Sequence, residues 1–75
     1  MTLDLIHKGS FVVVKSLSGG HDFLAKVAAL GIYNGALLSV IKNSGKGPVL
    51  VSVHNTRVAL GRGVAQKVLV EPKKS

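Results

Sequence analysis

Residues 23 to 40, FLAKVAALGIYNGALLSV, change their apolar period halfway, and this limits the chain to folds in which a short helix feeds directly into a strand. Phe23, Val27 and Leu30 recur at helical spacing with Leu24 and Ala28 beside them, while His21, Asp22 and Lys26 are polar. The spacing predicts an amphipathic helix over 22–30, whose apolar face needs a sheet to cover. Gly31 falls where a left-handed, helix-ending residue is wanted, with Ile32 able to fold back on the last turn. A side chain there, as in Gly31→Val, is expected to destabilise. Gly35 supplies a second turn, and residues 37–41 follow with no polar period, as in a strand covered on both sides.

The remaining segments read as strands around that helix. Leu3, Leu5 and Ile6 lead into a turn at Gly9, their side chains expected beneath the sheet. Phe11 to Val14 are all aromatic or β-branched and favour a pleated, covered position, continued by Lys15, Ser16 and Leu17 to a turn at Ser18-Gly19-Gly20. After a polar loop over 43–47, Pro48 has no amide hydrogen for a ladder and suits the start of a strand. Val49, Val51 and Val53 then alternate with Leu50, Ser52 and His54, which places the valines on the core face.

Asn55-Thr56 is expected to make a two-residue turn into a strand over 57–60 with Val58 and Leu60 inward. Gly61 and Gly63 break that strand, residues 64–66 suit one tight helical turn, and 67–71 form a closing strand before a frayed tail from about Pro72. The sum is a mainly β domain spanning 1–75: a partly open SH3-like or OB-like barrel of five short strands with one inserted short helix. Its expected core is Phe11, Val13, Leu24, Val27, Leu30, Leu38, Val40, Val51, Val53, Val58, Leu60 and Val68. On that reading Leu30→Ala removes a core side chain and costs about 2–5 kcal/mol.

Composition narrows the function. Seventy-five residues make one small domain, and without cysteine its stability must come from burial, with no thiolate nucleophile and no cysteine-ligated metal. Apolar runs fall far short of a membrane span, and the start lacks the pattern of a signal peptide, so a cytoplasmic address is expected. Ten Lys and Arg against three acids give +7, which calls for an acidic partner: nucleic acid, anionic headgroups or an acidic protein surface. Asp4, Asp22 and Glu71 lie on separate segments and no serine sits in a nucleophile turn, so the reading is not an enzyme. His7, His21 and His54 have no metal-ligand spacing. No resident cofactor is expected, and a divalent metal shared with a partner or bound adventitiously is left open.

Leu30-Gly31-Ile32 with Gly35, Gly47-Pro48 before a valine-rich strand, Arg57-Val-Ala-Leu60, Gly61-Arg-Gly-Val-Ala65 and Lys67-Val-Leu-Val70 together resemble the ferrous iron transport protein A family, FeoA. The resemblance runs from Leu5 to Val70. It differs from many members in carrying Gly45-Lys46 where an acidic residue is common, and in its strong positive charge. It implies an SH3-like barrel and a small bacterial, cytosolic, non-catalytic accessory of ferrous iron uptake. Its partner would be the FeoB membrane transporter with a GTPase domain, so it would be peripheral to the membrane through that partner.

Stable nucleic-acid binding is not expected, although a nucleic-acid-binding basic barrel is the runner-up, tested by salt-dependent binding. A stand-alone regulatory domain related to the C-terminal domains of iron-dependent repressors is a further alternative, and self-association is left open. The expected contact surface combines Tyr33 and Asn34, between two glycines, with Lys26, Arg57 and Arg62. A glycine-flanked Tyr offers a large anchor at low entropic cost, and Arg pairs carboxylates in two-pronged fashion.

Overall fold

The computed structural model describes residues 1–73. A single turn of 3-10 helix at Leu3–Leu5 precedes β1 (Phe11–Leu17), α1 (His21–Ala29), β2 (Leu37–Lys42), β3 (Val49–Val53), β4 (Thr56–Leu60), α2 (Arg62–Ala65) and β5 (Val68–Pro72). The five strands form one antiparallel sheet in the order β4-β3-β2-β1-β5. Register shifts between Val14 and Ser16 and between Val40 and Lys42 mark the irregularities that let a short sheet bend around a core.

Valine dominates the interior. Val12, Val14, Leu38, Val40, Val49, Val51, Val53, Leu60, Val68 and Val70 are buried on the concave face, closed by Val27 and Ile32 and by Leu3, Ile6 and Ala65. β-branched side chains have few rotamers to lose, so a valine core suits a chain with little area to bury.

Several expected core positions lie elsewhere. On β1 it is Val12 and Val14 that face inward, while Val13 is half-buried and Phe11 is 59% exposed. A strand alternates faces, so one inward position decides all the others, and the pairs Val12–Leu38 and Val14–Val70 set it. Leu24 and Leu30 are exposed too. Helix α1 covers the sheet mainly through Val27 and half-buried Phe23, and Ile32, fully buried after the helix, fills the space assigned to Leu30. Leu30→Ala is therefore not a core truncation. Leu5 is exposed while Leu3 and Ile6 are buried, and β2 is covered on one side only, with Leu37 exposed and Ile41 half-buried.

The hairpin turn is displaced by one residue. Val53 pairs with Thr56, so the turn residues are His54 and Asn55, both left-handed at φ 51° and 63° as in a type I′ connection. Leu60 is buried and Val58 partly so, as the alternation requires. Pro72 is not frayed: it ends β5 opposite Val12, and the Lys73 amide donates to the Phe11 carbonyl at 2.9 Å. The rest of the expected tail, Lys74 and Ser75, lies outside the described residues.

Candidate interaction surface

The C-terminus of α1 builds the surface. The Gly31 amide donates to the Ala28 carbonyl and the Ile32 amide to the Val27 carbonyl, both at 2.9 Å, a glycine-terminated cap with Gly31 at φ 92°. Its apolar clasp is Ile32 against Val27, both buried. On the far side of the loop the Gly35 amide, from a residue also at φ 92°, donates to the Val14 carbonyl at 2.8 Å, and Ala36 is buried. Anchored at both ends, the loop presents Tyr33 and Asn34 to solvent, Tyr33 at 45% exposure.

Tyr33 does not hang free. Its Oη shares a 3.1 Å hydrogen bond with His54 Nε2, and the two rings stack with centroids 6.0 Å apart and planes inclined by 27°. Gly31 makes room for that pairing, because a Cβ there would stand 2.9 Å from His54 Cδ2 and 3.3 Å from Val53 Cγ2. From sequence, His54 has no metal-ligand spacing and alternates with the core-facing valines, which assigns it no role. No local signal could have found its role, since 21 positions separate it from Tyr33 and only the β3–β4 turn joins them.

The five predicted residues divide among four places. Tyr33 and Asn34 line a shallow cleft with Leu24, Ala28 and the end of β1 at Ser16 and Leu17. Lys26 lines a separate groove between α1 and β4, formed with Phe23, Leu30, Ala59 and Gly61. Arg57 is exposed on β4, opposite Ser52.

The half-buried Arg62 side chain is held by its own chain. Its Nε donates to the Gly47 carbonyl at 3.0 Å, Nη1 to the Asp4 carbonyl at 3.1 Å and Nη2 to Asn43 Oδ1 at 2.7 Å. Asn43 Nδ2 in turn donates to the carbonyls of Asp4 at 2.9 Å and Ile6 at 2.8 Å. The guanidinium thus ties α2 to the 43–47 loop and the 3-10 turn, and its fork is engaged within the protein.

The carboxylates stand apart: Asp4 accepts the Thr2 hydroxyl, Asp22 sits in the first turn of α1, and Glu71 pairs with Lys15 at 3.5 Å. Among the described residues no three His, Asp or Glu side chains converge as metal ligands would. Among the described residues no helix is long and apolar enough to cross a membrane.

Comparison with known proteins identifies this arrangement. A Methanocaldococcus jannaschii protein provisionally named Fe(2+) transport protein A is 38% identical over 64 residues, covering 85% of this chain and 77% of its own length. The crystal structure of an iron uptake regulatory protein, FeoA, superposes with a TM-score of 0.89 at 31% identity and 93% coverage of both chains. Zinc-complexed FeoA of Stenotrophomonas maltophilia, described as a procaryotic SH3 domain protein, superposes with a TM-score of 0.82 at 30% identity, covering 95% of this chain and 89% of that one. The FeoA domain model matches residues 1–72, and the chain belongs to the FeoA domain family of ferrous iron transport accessories, with its SH3-like fold.

Proposed function

We propose that this protein is a non-catalytic, cytoplasmic accessory of ferrous iron uptake that docks on the cytosolic, GTPase-bearing part of a FeoB-type membrane transporter and modulates it. The observation that carries the reading is the loop at the end of α1. Buried Ile32 and Ala36 hold it on both sides while Tyr33, stacked on His54, stands exposed beside Asn34. An aromatic side chain ordered before contact loses little entropy on binding, which suits the centre of an interface.

Lys26 and Arg57, both exposed, are placed to speed encounter with an acidic partner. Arg62 serves the contact indirectly, by holding the 43–47 loop. The S. maltophilia protein is described as a candidate activating factor for bacterial ferrous iron transport, a role compatible with docking. The reading needs no resident cofactor, with ferrous iron as the transporter's cargo. It also needs no reaction at Asp4, Asp22 or Glu71, which lie on separate elements.

The test is Tyr33→Ala in iron-uptake complementation alongside the transporter, with thermal unfolding measured in parallel. A folded variant that fails to restore uptake is the expected result. Full uptake by a folded Tyr33→Ala protein would overturn the assignment of this surface.

A further inference from the structure

The convex face of the sheet carries an apolar ridge that neither the core nor the Tyr33 cleft uses. Leu5 and Phe11 line one shallow groove, and Phe11 and Leu37 line the next, so the three side chains are continuous. They are 61%, 59% and 44% exposed. Cross-strand register places a cation at each end of the row through Phe11. The Lys73 amide bonds the Phe11 carbonyl, Phe11 faces Ser39, Ser39 faces Ser52, and Ser52 faces Arg57. Lys8 stands in the turn between Leu5 and Phe11. Of the nearby acids, Glu71 is already paired with Lys15, and Asp4 accepts the Thr2 hydroxyl.

Three physical facts limit what covers this ridge. β1, β2 and β3 each have a strand on both sides, so a peptide cannot add here as a further strand and contact is through side chains alone. Phe11 is the one Phe, Tyr or Trp side chain lining the two grooves, with His7 and His54 at their margins, too sparse a set to stack successive nucleic-acid bases. A second copy of a chain with a net charge of +7 is repelled. An anionic bilayer satisfies both halves of the surface, because its phosphates meet the cations while protruding Phe and Leu side chains enter the headgroup–acyl boundary.

We propose that the protein docks peripherally on anionic lipid through Leu5, Phe11 and Leu37, with Lys8, Lys73 and Arg57 on headgroup phosphates. This contact shares Arg57 with the transporter reading but does not use Tyr33, and the test uses vesicles that contain no protein, so the two readings fail independently.

Untagged full-length protein is sedimented with vesicles of phosphatidylcholine alone and of phosphatidylcholine with about one third phosphatidylglycerol, at low salt and at about 0.15 M salt. Binding to the anionic vesicles is expected to exceed binding to neutral ones about tenfold or more, and to weaken with salt. The double substitution F11S/L37S lowers it about tenfold with the melting temperature unchanged, because both side chains are exposed. Lys73→Ser and Arg57→Ser lower it about fivefold each.

The chain has no Trp, so Phe11→Trp reports directly: its emission shifts to the blue on anionic vesicles and stays unshifted on neutral ones. Equal binding to both vesicle types, an unshifted Phe11→Trp, or undiminished binding by F11S/L37S overturns the proposal. So does preferential capture of a single-stranded oligonucleotide or of polyglutamate by the same face.

Discussion

Two loops in this protein are bracketed by left-handed glycines, Gly31 and Gly35 in one and Gly45 and Gly47 in the other, yet different chemistry holds them. The first hangs on apolar anchors, Ile32 and Ala36, and turns Tyr33 and Asn34 outward. The second hangs on polar side chains, with Asn43 and Arg62 spanning it to the 3-10 turn and α2. Both give a rigid loop on a small barrel. In the first, burial of Ile32 and Ala36 holds the two ends, and Tyr33, braced on His54, still turns its ring to solvent.

The largest test of this contrast is Gly31→Val, expected to cost about 3 kcal/mol in urea denaturation, since it combines left-handed strain with displacement of His54 and Val53. A stability equal to wild type would mean that the apolar-anchored loop is not held as described. Next comes Arg62→Ala, at about 2 kcal/mol, because three carbonyl or amide oxygens lose a charged donor. Combined with Asn43→Ala, the two effects should fall short of additivity by about 1 kcal/mol; simple additivity would dissolve the network into independent bonds.

Gly45→Ala sharpens the comparison. It shares the left-handed backbone of Gly31 but meets nothing within 4 Å, so about 1 kcal/mol is expected from strain alone. The smallest effect is that of Tyr33→Ala, about 0.5 kcal/mol, since the ring is exposed and its single bond lies at the surface. A loss several times larger would make the Tyr33–His54 pair a structural brace and weaken its standing as a docking anchor.

Glycine positions were legible because their constraint is local. Gly31 ends the helix wherever the chain goes next, and the alternation of Val49, Val51 and Val53 names a core face without knowledge of the neighbouring strands. Phe11 to Val14 show the opposite case. An unbroken apolar run fits either face equally well, and partners on β2 and β5 chose Val12 and Val14. Leu30 misled for a related reason: helical spacing marks an apolar face, but α1 has only nine residues and sits over the sheet through Val27. The hairpin differed by one position because His54, which a turn reading passes over in favour of Asn and Thr, takes up left-handed backbone beside Asn55.

For the candidate surface, the sequence supplied Tyr33 and Asn34 as an exposed, glycine-flanked pair, and it could not supply their neighbours. By itself it determined the helix and its stop, the five strands, the valine-rich core of β3 and the FeoA family, because chirality, period and motif order act within short stretches of chain. Tertiary structure alone decided which face of β1 is buried, that His54 braces Tyr33, and that Arg62 is held by Asn43 and Asp4. Each depends on the register between segments far apart in sequence, a quantity that emerges only when the strands pair.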